Sequence, residues 1–92
     1  MIHELKTWPV AFQLAHTGVK MFEIRKHDRN FQEGDLVHLR EYELETNHYT
    51  GRELWRRVTC VITGWGLNDD TCALGLTTID APAAPVTEQL GF

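Results

Sequence analysis

Between Gly18 and Arg25 the chain reads Gly-Val-Lys-Met-Phe-Glu-Ile-Arg, and three of these residues carry groups that can do chemistry: the Lys20 ammonium, the Glu23 carboxylate and the Arg25 guanidinium. Glu23 and Arg25 stand two apart, so in an extended strand they project from one face, while Lys20 leaves the turn that Gly18 makes. Such a trio beside a helix end suits a polar planar ligand. Carboxylate and guanidinium read complementary donors and acceptors along a nucleobase edge, and the ammonium meets a phosphate or carbonyl oxygen. Arg29 is an auxiliary candidate, and Trp65, in a Gly-flanked loop, offers a ring on which a base can stack. The same charges also make an ordinary cross-strand salt bridge, and with Glu23 and Asp28 as partners the cluster reads equally as a solvated mixed-charge face.

The elements that must hold these residues follow from periodicity. Ile2 to Lys6 alternates as a first strand, and Thr7-Trp8-Pro9 gives a helix start, with a capping hydroxyl nearby and Pro at an early position. Val10, Phe12, Leu14 and Ala15 supply the apolar face of a short helix that Gly18 closes. From Lys20 the period becomes two, with Phe22 and Ile24 expected on the core and Glu23 and Arg25 on the opposite face. His27 to Asp35 gathers turn formers, with Phe31 as an anchor on the core, and Leu36 to Glu43 resumes alternation, Val37 and Leu39 against His38, Arg40 and Tyr42. A hairpin through a Thr50-Gly51 turn is expected next. In the long strand Leu54 to Thr63, Val58, Cys60 and Ile62 share one face and Arg57, Thr59 and Val61 the other. Trp65 to Thr71 is loop, and Cys72 to Ile79 the last strand, Leu74 and Leu76 facing inward. The expected class is α+β, mainly β: a small barrel of about five strands with a short helix after the first.

Composition narrows the function classes. Ninety-two residues that are 42% hydrophobic and 24% charged make one folded domain, placed at 1–80, with 81–92 as a Pro- and Ala-rich flexible tail. No apolar run is long enough to span a membrane and Met1 to Thr7 lacks the features of a signal peptide, so a cytoplasmic location is expected. Cys60 and Cys72 form no CxxC pair and read as reduced thiols. A net charge of −4 disfavours broad phosphate coating, yet all nine Lys and Arg lie within residues 1–57, matched by nine acids, whereas 58–92 holds four acids and no base. An anion can therefore find a local positive site around Lys20, Arg25, Lys26 and Arg29.

The pattern Gly-x-Lys-x-x-Glu-x-Arg, the Phe31-x-x-Gly34-Asp35 turn entering a strand, and the late Leu74-Gly75-Leu76 strand together resemble the ASCH superfamily, over roughly His3 to Ile79. The His3-Glu4-Leu5-Lys6 start and the Glu23-Ile24-Arg25-Lys26 run through Asp28-Arg29 are similar to a short bacterial and phage branch without an assigned activity. The resemblance implies a PUA-like β-barrel and a cleft for RNA or a nucleotide-like ligand, floored by the strand of Glu23 and Arg25. One branch of that superfamily hydrolyses an acetyl amide on cytidine, with a lysine at the place of Lys20 and a threonine at the place of Glu23 as proposed base and nucleophile. Here the threonine position is glutamate, which removes the hydroxyl route. The enzymatic alternative is thus a hydrolase of a modified nucleoside or RNA, with Glu23 as general base and Lys20 as electrostatic support. No HxH, HExxH or spaced Cys/His set is present, so neither metal nor cofactor is expected. A third class is a phage-type interaction module that offers its acidic C-terminal part to a basic protein surface.

Overall fold

The computed structural model describes residues 1–79, so the expected tail at 81–92 lies outside the described residues. Six elements follow in order: β1 (Ile2–Thr7), α1 (Pro9–His16), β2 (Phe22–Lys26), β3 (Leu36–Glu43), β4 (His48–Ile62) and β5 (Thr71–Thr78). The expected class is the one found: five strands in one curled, half-barrel sheet and one short helix after the first strand. Strand order is β1-β3-β4-β5-β2, with β1 parallel to β3 and every other pair antiparallel. The backbone ladder therefore ends at β1 on one side and β2 on the other.

The inner face of the sheet carries the core. Leu5, Val37, Leu39, Val58, Cys72, Leu74 and Leu76 interlock there with Ala15 of the helix and Phe31, which anchors its loop as expected. Burying a large aliphatic or aromatic side chain contributes about 1.5–3 kcal/mol. The frame thus stands chiefly on packing.

Pro9 occupies the first turn of α1, and Trp8 is the N-cap, but no side chain caps this end. The Thr7 hydroxyl, expected there, is buried instead beside Arg25 Nη2 at 3.4 Å. The helix buries Phe12 and Ala15 and leaves Val10 and Leu14 exposed, a narrower face than the sequence implied. Gly18 closes it at φ +83°, a conformation that costs little without a Cβ. Buried Arg56 then reaches across from β4 and donates to the last-turn carbonyl of Ala15 at 3.0 Å, where a cation also suits the helix dipole.

Two irregularities in β4 displace expected positions. The hairpin turn falls at residues 44–47, with Asn47 at φ +57°, and Thr50-Gly51 lies within β4, where the register against β3 jumps between Arg40 and Tyr42. Gly51, at φ +96°, serves this bulge and not the turn. A second shift, between Val58 and Cys60, reverses the phase of the strand: Val58 and Val61 pack on the core, while Cys60 and Ile62 do not join it. An extra residue moves every following side chain to the other face.

Candidate functional site

The strand alternation in β2 runs opposite to expectation. Phe22 and Ile24 are exposed, whereas Glu23 is only 3% exposed and faces inward with Arg25. β2 is an edge strand, so its inner face looks partly past the core into the seam that separates it from β1. A carboxylate taken out of water there needs cationic partners, and it has two. Lys20 Nζ donates to Glu23 Oε2 at 2.6 Å, and Arg25 Nε and Nη2 both lie 2.9 Å from Oε1.

These cations also serve the unpaired strand edges. Lys20 Nζ donates to the carbonyl of Phe22 at 2.7 Å; Arg25 Nη2 donates to the carbonyl of Lys6 at 2.8 Å; Arg29 Nη1 donates to the carbonyl of Glu4 at 3.0 Å. Side chains thus bridge β1 and β2 where the ladder does not. Along this seam lies a cleft of about 350 Å³, lined by Lys6, Thr7, Trp8, Ala11, Lys20, Glu23, Ile24 and Arg25. A smaller recess of about 110 Å³ continues from it, bounded by Leu5, Arg25, Lys26, Asp28, Arg29 and Phe31.

Lys20, Glu23 and Arg25 therefore meet in one open recess. Arg29 borders the adjoining one, where it also pairs with Asp28 at 3.6 Å. Trp65 is not brought to either. It stands 88% exposed in the loop between β4 and β5, at φ +54°, and that loop leads to Thr71, whose partner is Lys26 at the far end of β2. The ring at the cleft is Trp8, roughly half exposed beside Ala11 in the first turn of α1. The sequence pattern does not single out Lys6, Thr7 and Trp8, because nothing in a strand's own pattern marks its carboxyl end as a cleft wall. Pro9 was the available signal, since it fixes where β1 must hand over to the helix.

The cleft has three cationic side chains and a single carboxylate among its lining residues, so its field is positive although the chain is net acidic. Among the described residues no group of His, Cys, Asp and Glu is placed to hold a metal ion. No described helix is long and apolar enough to cross a membrane. The acidic part offered as a protein-binding surface consists, within the described residues, of Asp69 and Asp70 in the loop before β5.

Comparison with known proteins gives two findings. A family model described as "Domain of unknown function (DUF3850)" matches residues 2–76, from β1 into β5, and so includes the whole cleft. A curated relative, the "Uncharacterized 12.9 kDa protein in GpA 3'region" of Escherichia phage P2, is 40% identical over 60 residues. That alignment takes in 65% of this chain and 53% of the relative, so the chain spans about half the length of the curated protein it matches.

Proposed function

We propose, for a chain that belongs to the DUF3850 family, that the domain is a PUA-like module of the ASCH type whose β1–β2 cleft holds RNA or a nucleotide-derived ligand. The observation that carries this reading is Glu23: a carboxylate buried at the floor of an open cleft, holding Lys20 and Arg25 in position at 2.6 and 2.9 Å. Buried ion pairs add little net stability over a well-packed apolar alternative, so their cost is better repaid by a ligand than by the fold. In this role the carboxylate fixes two cations ahead of binding, which lowers the entropy lost when a phosphate arrives. Trp8 supplies a stacking face, and Lys6 adds charge at the rim.

A general-base role for Glu23 would require an oxygen directed at water. Both oxygens already accept from cations, which favours holding over proton abstraction.

The test is calorimetric titration of the purified protein with the four ribonucleoside monophosphates. The expected result is saturable binding that Lys20→Ala and Arg25→Ala each weaken by about tenfold, the loss of one charge-assisted contact. Unchanged affinity in both variants, with their folds intact by circular dichroism, rejects the cleft as the site.

A further inference from the structure

The cleft opens onto a row of aromatic rings that no strand-by-strand reading brings together. Trp8 at the end of β1, Tyr42 on β3 and Tyr49 on β4 run across three adjacent strands on the outer face, with ring centroids 6.0 Å apart for Trp8–Tyr42 and 5.0 Å for Tyr42–Tyr49. Trp8 and Tyr49 are well exposed. Two cations lie over rings of the row, each covering one face: Lys6 with Nζ 4.3 Å from the Tyr42 ring centre and Arg40 with its guanidinium carbon 3.9 Å from that of Tyr49. Lys6 and Trp8 also line the cleft, so recess and row form one continuous surface.

We propose that this row is a binding track for single-stranded RNA, which leaves the cleft at Trp8 and crosses the sheet over Tyr42 and Tyr49 while Lys6 and Arg40 meet its phosphates. The inference deepens the cleft reading and rests on it: the ligand class becomes an oligonucleotide in place of a mononucleotide. Planar rings interleaved with cations match a chain that alternates planar bases with phosphates, and stacking tolerates any base because each has a π face. The acids on the same face are paired, so a phosphate reaching Arg40 must share it with Glu4. Glu4 is held by Arg40 at 3.0 Å and Glu53 by His38, and His38 itself stacks on Trp55 at 4.0 Å, separated from the Tyr42–Tyr49 pair by the Arg40–Glu53 pair.

The test compares uridine monophosphate with hexauridylate on the full chain at low salt. The expected result is that the hexamer binds at least about tenfold more tightly than the monophosphate, since each added stacked base contributes. Tyr49→Ala should weaken hexamer binding by about fivefold or more and leave monophosphate affinity unchanged, while Tyr49→Phe, which keeps the ring, restores the hexamer. A hexamer no tighter than the monophosphate, or a Tyr49→Ala loss equal for both ligands, overturns the track and leaves the cleft reading standing. Binding of neither ligand overturns both.

Discussion

Glu23 is the residue whose removal separates structure from function. Truncation to Ala leaves Lys20 and Arg25 crowded, mostly shielded from water and without their shared anion. Breaking a buried pair this way costs about 3 kcal/mol, so Glu23→Ala should unfold at clearly lower urea, whereas Glu23→Gln, which keeps one acceptor oxygen, should lose less. Chemical denaturation of the three proteins decides this. The cysteines make a second residue-scale prediction. Burial pushes the Cys72 thiol above its ordinary value of 9.0, and nearby Asp28 adds to the effect, while Cys60 is only partly buried. A thiolate-seeking disulfide reagent should therefore modify one thiol per native chain, Cys60, and the second only after denaturation. Rapid labelling of both in the native protein would contradict the placement. That Lys20, Glu23 and Arg25 meet was legible from their spacing. Their direction was not, because a period of two fixes which residues share a face but leaves open which face is the core.

At the level of elements, β5 meets β4 closely at one point. A Cβ built on Gly75 would lie 2.7 Å from Cys60 Sγ and 2.9 Å from Thr59 Oγ1, so an alanine there must push apart the strand pair at its bulge. Gly75→Ala should destabilise by about 1–3 kcal/mol, and adding Cys60→Ala should recover part of that, readable as thermal midpoints of the single and double variants. The helix, its Gly18 stop, the inward Val37, Leu39, Leu74 and Leu76, and the Phe31 anchor were all readable from local pattern and turn chemistry. The bulges in β4 were not, since Gly51 signals a left-handed backbone without saying whether a turn or an inserted residue uses it. Trp65 misled for a related reason: a Gly-flanked aromatic announces an exposed loop, and only the strand order decides which end of the sheet that loop occupies.

Across the whole molecule, one carboxylate ties the loop before β3 to the first strand. Asp35 accepts from His3 Nε2 at 2.8 Å, from the Gln32 amide at 2.9 Å and from the Met1 ammonium at 3.2 Å. Burial alone would raise its pKa, but these hydrogen bonds outweigh burial and hold it below the ordinary 3.8. The native state therefore binds this proton less readily than the unfolded chain. Its contribution to stability is complete above that ordinary value and is lost as pH falls through the lower native one. Acid unfolding curves should fall more steeply below about pH 4 for the wild type than for Asp35→Asn, which has no charge to lose. Parallel curves would exclude Asp35 as the source. Ligand binding to the positive cleft should also weaken with added salt, and removing Lys6 should lower the slope of log affinity against log salt for a single-stranded oligonucleotide by about 0.7.

The guanidinium and ammonium groups that occupy the carbonyls of Glu4, Lys6 and Phe22 have one more effect. An open sheet ordinarily invites another molecule to continue its hydrogen bonding, the first step toward fibrils. Here three of the rim acceptors, two on β1 and one on β2, are already taken by tethered cations that an incoming polypeptide would have to displace. The sheet can stay unclosed, and keep its cleft, with its two rims blunted at these points against continued strand pairing.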